Sequence, residues 1–157
     1  MPDKRSAGLL LFRPAGRSVE VLIGHMGGPF WAARDAGAWS IPKGEYGPEE
    51  KPEAAAVREF EEELGLPAPG GERVPLGESR QPGGKIVTIW AVEGDLDPDR
   101  VSPGTFTMEW PPHSGELREF PEIDRVGWFS PDRAAALLVP GQRIFLDRLG
   151  HHVRDVR

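Results

Sequence analysis

The sequence predicts a single domain of the α/β or α+β class, and three observations support this prediction. The chain has 157 residues, which suits one compact domain and leaves no room for two of ordinary size, so we expect the domain to span residues 1–157. Hydrophobic residues make up 38% of the chain, which is enough for a core. Short apolar runs typical of strands are mixed with longer segments of helical periodicity, without an internal repeat.

The strand predictions rest on short apolar runs that are bounded by turn residues. Residues 7–12 and 19–25 form one such pair, and the turn-like segment RPAGRS between them indicates a hairpin. A long irregular loop, residues 26–38, then leads to a short strand that begins at WSIP and ends at Pro42. Further strands are predicted in GERVPLGESRQ, in residues 85–96 and in RVGWF, whereas residues 110–124 are predicted to be a loop.

Three helices are predicted from their start and stop signals. The first spans residues 52–64, because Pro52 suits a first-turn position, alanines favour a helix and Gly65 is a natural C-terminal stop. The second begins in SPDRAAALL, where Ser130 is a good N-cap and Pro131 takes the first helical position. The segment GQRIFLDRLGHH is predicted to form the third helix, near the end of the chain.

Composition excludes several kinds of function. The chain has no cysteine, so disulfides, thiolate metal sites and cysteine nucleophiles are excluded, and a metal would need oxygen or histidine ligands. The net charge of −6 argues against bulk electrostatic binding to a nucleic acid duplex or to a membrane surface. The N-terminal residues MPDKRSAG lack the apolar region of a signal peptide, so we expect a cytoplasmic protein. We expect it to be a monomer or a homodimer.

Four glutamates lie close together near the end of the first predicted helix. On a helical wheel, Glu59, Glu62 and Glu63 fall on one flank beside the apolar stripe, whereas Glu61 lies away from them. A solvated acidic face is one interpretation, and a cation site is the other. The cation site is favoured because no lysine is interleaved at four-residue spacing and because the macrodipole disfavours anions at this end of a helix. Three such carboxylates suit Mg²⁺ or Mn²⁺.

The spacing around this cluster resembles a known sequence motif. The segment from Gly44 to Leu66 matches the Nudix box, G-x5-E-x7-R-E-U-x-E-E-x-G-U with U bulky and apolar, at every defined position. The hairpin and the WSIPKG strand before the box, and the VGWF strand with its following helix, lie where the Nudix family places such elements. The chain therefore resembles the Nudix hydrolases over most of its length. The matching positions are Gly44, Glu50, Arg58, Glu59, Phe60, Glu62, Glu63, Gly65 and Leu66.

The resemblance implies a reaction, a cofactor and a fold. The reaction is hydrolysis of a nucleoside diphosphate linked to another group, with Mg²⁺ or Mn²⁺ as the cofactor, on a mixed sheet in an α/β/α sandwich. Arg58 would hold one of the metal-facing carboxylates in place, and Glu50 would brace the loop against Arg58 or the metal shell. The metal ligands would be Glu59, Glu62, Glu63 and a backbone carbonyl in the Gly44 region.

The residues outside the box indicate the substrate class. Lys43, in the segment PKG, is predicted to contact a phosphate. PKG at this place resembles the diadenosine polyphosphate hydrolases, whereas many relatives that cleave oxidised dNTPs have PGG. Phe30, Trp31 and Trp110 lie in glycine- and proline-rich loops and could stack on a nucleobase, although a hydrophobic cluster that holds a long loop is an equal alternative. Trp39 is a further substrate-binding candidate, but it is predicted to lie partly in the core.

Glu122 is the candidate outside the box for a further metal ligand or for the base that activates water. It lies six residues before Trp128, a spacing that resembles that of a metal-facing glutamate in diadenosine tetraphosphate hydrolases. Glu119 is the reserve candidate, and a loop acid exposed to water is the alternative interpretation. No role is assigned to the histidines, because they show no ligand spacing with one another: His25, His113, His151 and His152.

Together these patterns predict a metal-dependent pyrophosphohydrolase of nucleotide-type substrates, with dinucleoside polyphosphates as the favoured class. A pyrophosphatase that cleaves (d)NTPs or oxidised dNTPs is the nearest alternative. A non-catalytic Nudix domain that senses a nucleotide is a second alternative, and the intact box argues against it. A purely structural acidic face is the third.

Overall fold

The computed structural model describes residues 4–156, which form a seven-stranded mixed sheet, a separate two-stranded sheet and three helices. The strands of the larger sheet are β1 (Arg5–Ala15), β2 (Ser18–Met26), β3 (Trp39–Ser40), β4 (Lys43–Tyr46), β5 (Arg73–Arg80), β6 (Ile86–Glu93) and β9 (Ile123–Phe129). The smaller sheet consists of β7 (Thr105–Glu109) and β8 (Leu117–Pro121). The helices are α1 (Pro52–Leu64), α2 (Pro131–Leu137) and α3 (Arg143–Val156), and 3₁₀ turns occur at Pro98–Arg100 and Pro140–Gln142.

Strand β1 lies at the centre of the larger sheet. It pairs antiparallel with β2 and β4 and parallel with β6, within the strand order β3-β2-β1-β6-β5, and β9 pairs with β2. Phe12 on β1 lies opposite Val21 on β2, so the predicted hairpin is confirmed. Gly8 on β1 lies opposite Lys43 on β4, which brings the segment before α1 against the central strand.

Apolar side chains alternate between the two faces of β1 and build a core on each face. Leu10 lies in a cluster with residues of α2 and α3, including the buried Phe145. Leu9 lies in a second cluster with residues of α1, including the buried Phe60. Full burial of each such phenyl ring contributes roughly 1.5–3 kcal/mol. The sheet therefore separates α1 from α2 and α3, and the predicted α/β/α sandwich is confirmed.

Helix α1 begins and ends at the predicted residues. Pro52 lies in its first turn, and Gly65 takes a left-handed conformation with φ of 67°, which favours glycine. The Gly65 N–H donates to the Glu61 carbonyl at 2.8 Å and closes the helix. At the start of α2, the Ser130 hydroxyl accepts a hydrogen bond from the Arg133 N–H, as predicted for an N-cap. No helix within residues 4–156 is long and apolar enough to cross a membrane.

The prediction of a loop over residues 110–124 is wrong for much of its length. Strand β8 and the first residues of β9 lie within this segment, and β8 pairs with β7. Phe106 on β7 lies opposite Phe120 on β8 with ring centroids 6.0 Å apart, so an apolar contact across the hairpin stabilises it. The loop is limited to residues 110–116, where prolines and glycine interrupt the pairing.

Candidate active site

A cavity of about 230 Å³ lies where the end of α1 meets β4 and the turn between β8 and β9. A further wall comes from the aromatic loop, which we define as residues 27–38. The cavity brings together Trp31, Lys43, Glu63 and Glu122, which were all predicted from the sequence as site residues. These residues lie far apart along the chain, so only the complete fold assembles them.

The Glu63 side chain is largely removed from water beside β4. Its Oε2 accepts a hydrogen bond from the Lys43 backbone N–H at 3.2 Å. Burial is the main cause that raises the pKa of Glu63 to about 8; the Lys43 charge and backbone hydrogen bond oppose this shift, and the charges of Glu122 and Glu59 add to it. A bound cation would stabilise the ionised form of the Glu63 carboxylate, so this side chain is suited to be a metal ligand.

The Lys43 side chain supplies positive charge to the same cavity. Burial lowers the pKa of Lys43 and the neighbouring Lys85 lowers it further, while the carboxylates of Glu63, Glu45 and Glu59 oppose the shift. A partly buried ammonium group is stabilised by pairing with an anion, and a phosphate oxygen that enters the cavity would provide such a pair. The location of Lys43 is therefore compatible with the predicted phosphate contact.

Arg58 holds the loop before α1 against the helix. Its Nε and Nη2 donate to the two carboxylate oxygens of Glu50 at 2.7 and 2.8 Å, which forms a bidentate ion pair. Its Nη1 donates to Glu59 Oε1 at 2.9 Å and to Glu62 Oε2 at 3.1 Å. The hydrogen bonds from Arg58 lower the pKa of Glu50. Arg58 and Glu50 thus make the contacts that a brace between loop and helix requires.

Glu59 lies directly against the backbone of Gly44. A Cβ atom at position 44 would overlap the Glu59 carboxylate, so only glycine permits this close approach. Burial raises the pKa of Glu59, and its hydrogen bond to Arg58 and the Arg58 charge oppose the rise. Because Gly44 has no side chain, the Glu59 carboxylate can lie beside the Gly44 backbone. A carbonyl of this backbone region is itself predicted to be a metal ligand.

The five aromatic side chains near the site lie in different surroundings. Trp31 lines the cavity, and the exposed ring of Phe30 packs edge-on against it at 4.8 Å between ring centroids. Trp39 is only 4% exposed and packs in the core cluster of α2 and α3, so its ring offers no face to a substrate. Trp110 follows β7 and does not line the cavity. Phe106 lines the cavity but was missed, although the alternation in TFTME is a strand signal that could have indicated it.

Glu122 lies in the turn between β8 and β9 and lines the cavity. Its backbone N–H donates to the Gly104 carbonyl at 2.8 Å, and its carbonyl accepts from the Gly27 N–H at 3.0 Å. Both Glu122 and Glu119 are exposed, but Glu119 lies on β8 opposite Thr107 and does not line the cavity. The fold thus brings Glu122 to Glu63 and leaves Glu119 outside.

Comparison with known proteins identifies the family. A family model described as "NUDIX domain" matches residues 2–149. The chain belongs to the Nudix family. The predicted class, a hydrolase acting on acid anhydrides in phosphorus-containing compounds, is thereby confirmed for the family to which the chain belongs. Nudix proteins act on nucleotide-type substrates and generally use divalent metals.

Individual relatives differ in how much of the chain they match. An RNA pyrophosphohydrolase from Gluconacetobacter diazotrophicus is 38% identical over 71 residues, which cover 41% of this chain but only 38% of that protein. The crystal structure of a binary complex of a C. elegans Ap4A hydrolase has a TM-score of 0.68 at 18% identity and covers 96% of this chain and 98% of that one. The structure of the Nudix hydrolase RenU from M. smegmatis has a TM-score of 0.57 at 28% identity, and the match covers 97% of this chain and 86% of that one. The likeness to the Ap4A hydrolase, at this identity, shows a shared Nudix fold.

The predicted metal ligands of this Nudix domain do not form a closed cluster. Among the side chains of residues 4–153, which the structure describes, no three histidines, aspartates or glutamates are grouped closely enough to hold a metal ion. The Glu62 side chain is 58% exposed and faces Arg58. The donor set nevertheless fits Mg²⁺ or Mn²⁺, because both prefer carboxylate oxygens and complete their shells with water and substrate phosphate. The metal site stays a prediction, with Glu62, Glu59, Glu63 and Glu122 as its carboxylates.

The raised pKa of Glu63 should make the metal-free protein less stable as the pH rises. The folded state keeps the Glu63 proton up to about pH 8, whereas the unfolded chain releases it near the usual value of 4.5. The folded state binds more protons between these values, so the free energy of unfolding falls as the pH rises through this window. Thermal unfolding with a chelator should show Glu63→Gln becoming more stable than the wild type between about pH 5 and pH 8.

Added metal provides the control for this measurement. Mg²⁺ or Mn²⁺ that binds the folded wild type should raise its melting temperature by mass action, and Glu63→Gln should respond less. The Glu61→Gln variant, altered at an exposed position on the same helix, should keep the wild-type response to metal. Melting temperatures of the wild type and Glu63→Gln that stay parallel across the pH range would contradict a costly buried charge at Glu63.

Proposed function

We propose that this Nudix protein is a Mg²⁺- or Mn²⁺-dependent pyrophosphohydrolase that cleaves a nucleoside diphosphate linked to another group, with dinucleoside polyphosphates as the favoured substrates. One observation carries the proposal: a cation, two carboxylates and an aromatic ring line the same cavity. They belong to Lys43, Glu63, Glu122 and Trp31. These are the groups needed to bind phosphate, hold a divalent metal and contact a nucleobase.

Four carboxylates would together bind the metal ion. Glu63 and Glu122 line the cavity, Glu59 lies against the Gly44 backbone, and Glu62 would turn from Arg58 to join them. A bound Mg²⁺ or Mn²⁺ supplies positive charge that neutralises the polyphosphate and makes a nearby water more acidic. Arg58 would keep Glu59 in place when Glu62 moves from Arg58 to the metal, because the bidentate pair of Arg58 with Glu50 does not depend on Glu62.

The side chains of the cavity account for the remaining parts of the reaction. Lys43 would hold an oxygen of the polyphosphate, and Trp31 would contact the base, so that the phosphorus atom lies near Glu122. Glu122 would accept a proton from water as the water oxygen forms a bond to phosphorus. The bond from phosphorus to the bridging oxygen breaks, and the displaced phosphate leaves with that oxygen. This step is the same whether the leaving group is a nucleotide or pyrophosphate.

Dinucleoside polyphosphates are favoured by features outside the box. PKG around Lys43 and the spacing of Glu122 resemble hydrolases of this class. The cavity also offers two aromatic side chains, Trp31 and Phe106, and the exposed Phe30 ring beside Trp31 adds a third surface on which a base can stack. A substrate with two nucleosides uses more such surface than a single nucleotide does.

Removal of pyrophosphate from the 5′ end of RNA is a second candidate function. It is favoured by the 38% identity to an RNA pyrophosphohydrolase over 71 residues. The net charge of −6 weighs against it, because a protein that binds a long polyanion usually presents a basic surface. The cleavage of oxidised dNTPs remains the alternative among small substrates, and a non-catalytic sensor remains the alternative outside enzymes.

Turnover of three substrates tests these functions in one experiment. With Mg²⁺ or Mn²⁺, we expect diadenosine tetraphosphate to give the highest kcat/KM and to release two nucleotides. Oxidised dGTP would instead release a monophosphate and pyrophosphate, and RNA with a 5′-triphosphate would release pyrophosphate. The Glu63→Gln protein, purified in the same way, controls for contaminating phosphatases. Faster turnover of either other substrate would overturn the favoured class, and binding without any turnover would favour the sensor.

A further inference from the structure

His25 is a buried polar residue that the proposed reaction does not use. It lies near the end of β2, is 0% exposed, and packs edge-on against Trp39 with ring centroids 5.4 Å apart. Its Nδ1 is hydrogen-bonded to Asp124 Oδ1 at 2.8 Å, and its Nε2 donates to the Arg34 carbonyl at 2.6 Å. Burying a histidine ring is costly unless its nitrogens have partners, and each nitrogen of His25 faces an oxygen acceptor, so the two bonds together require a hydrogen on each nitrogen.

The hydrogen bond from His25 Nε2 to the Arg34 carbonyl fixes part of the aromatic loop. The Arg34 N–H donates to the Trp31 carbonyl at 2.9 Å, so the two residues belong to one turn. The Arg34 guanidinium also lies over the Phe30 ring, 4.3 Å from its centroid. A hydrogen bond that fixes the Arg34 carbonyl therefore fixes the turn that carries Trp31 to the cavity wall.

The hydrogen bond between His25 Nδ1 and Asp124 fixes the chain next to the turn that contains Glu122. His25 pairs with Arg125 across β2 and β9, but the next residue of β2, Met26, pairs with Ile123, so Asp124 is the extra residue of a β-bulge. Bulges redirect the side chains around them and often lie next to active sites. The hydrogen bond from His25 holds this bulge, and the bulge begins two residues after Glu122.

We propose that His25 is a positioning residue that joins two walls of the active-site cavity. Through Nε2 it holds the aromatic loop for substrate binding, and through Nδ1 it holds the bulge that orients Glu122 for the chemical step. His25 does not line the cavity itself. This inference rests on the proposed function, because the two walls affect kinetics only if the cavity holds the substrate.

Two conservative variants separate the two bonds. An asparagine amide nitrogen lies close to the place of histidine Nδ1, and a glutamine amide nitrogen lies close to that of Nε2. His25→Asn should keep the Asp124 bond and lose the Arg34 bond, so KM should rise by about tenfold to a hundredfold with kcat retained. His25→Gln should keep the Arg34 bond and lose the Asp124 bond, so kcat should fall by a similar factor of about tenfold to a hundredfold with KM retained.

Proteolysis gives a measurement that does not depend on activity. Trypsin cleaves after arginine, and mass spectrometry can follow cleavage after Arg34 alone. Release of the aromatic loop should speed this cleavage in His25→Asn but not in His25→Gln. The Leu149→Ala variant, in the buried part of α3, controls for a general loss of stability: it should leave the kinetic constants unchanged and should not speed cleavage after Arg34 more than cleavage after the other arginines.

The outcomes distinguish this inference from the proposed function. Equal effects of both His25 variants, in proportion to their loss of melting temperature, would overturn the positioning role. Unchanged kinetics in both variants would overturn it too. If the wild type turns over no nucleotide, the proposed function fails, and cleavage after Arg34 alone then decides whether His25 holds the loop.

Discussion

Glu63→Gln should lower kcat by roughly a hundredfold to a thousandfold, the loss typical when one preorganised electrostatic group is removed from a site. The side chain is partly buried beside Lys43, and this burial makes its negative charge costly unless a cation lies close to it. Glutamine keeps the size and can still accept the Lys43 hydrogen bond, but it carries no negative charge. Steady-state kinetics with saturating metal measure the loss, and circular dichroism checks that the fold is retained.

Two neighbours on the same helix provide a comparison for this result, with Glu61 as the control and Glu62 as a second predicted ligand. Glu61 is exposed and accepts a hydrogen bond from the Ala68 N–H at 2.9 Å, so Glu61→Gln should turn over like the wild type. Glu62 is predicted to leave Arg58 for the metal, so Glu62→Gln should show a loss comparable to that of Glu63→Gln. A wild-type kcat for Glu62→Gln would limit the ligands on α1 to Glu59 and Glu63. Equal losses for all three variants would show that the helix face is assigned incorrectly.

Glu122→Gln should lower kcat by roughly a hundredfold to ten-thousandfold, the range expected when a general base is removed. KM should change little, because Glu59, Glu62 and Glu63 would still hold the metal, and substrate binding depends on that metal, Lys43 and Trp31. The side chain lines the cavity with Glu63, and two backbone hydrogen bonds fix its turn, so the substitution should leave the local backbone intact. Kinetics on the best substrate of the wild type measure both constants.

Glu119→Gln is the matched control for Glu122. Glu119 lies in the preceding strand, is exposed and does not line the cavity, so its substitution should leave kcat unchanged. A Glu122→Gln enzyme with wild-type kcat, together with a slow Glu119→Gln enzyme, would transfer the role of the base to Glu119. Wild-type kcat in both variants would place the base within the box itself.

The parts of the site that could be predicted are those that depend on local sequence. Helix α1 was predicted with its exact bounds, because Pro52 and Gly65 mark its ends within the sequence itself. The spacing of the glutamates on that helix follows from its geometry alone. The brace between Arg58 and Glu50 was implied by the motif, and it spans a short distance along the chain.

The features that were missed depend on contacts between distant segments. The partners of His25 lie 9 and 99 residues away, so neither could be inferred from the sequence around it. Phe106 reaches the cavity only because β7 pairs with β8, and the prolines of the intervening loop concealed that hairpin. Trp39 and Lys43 are close in sequence, yet the sheet places Trp39 in the core and Lys43 at the cavity.

The parallel pairing of β1 with β6 has a consequence for how the protein folds. Ser6 lies opposite Val87, so the pair at the centre of the sheet joins distant parts of the chain, with all of α1 between them. Closing such a long loop costs entropy before its contacts form, and it slows folding. Phe60 of α1 packs in one cluster with Leu9 of β1 and Val92 of β6, so the helix completes its packing only after this closure. The carboxylates of α1 therefore come to lie against the rest of the site only after β1 and β6 have paired, and an isolated box peptide has no such surface to pack against.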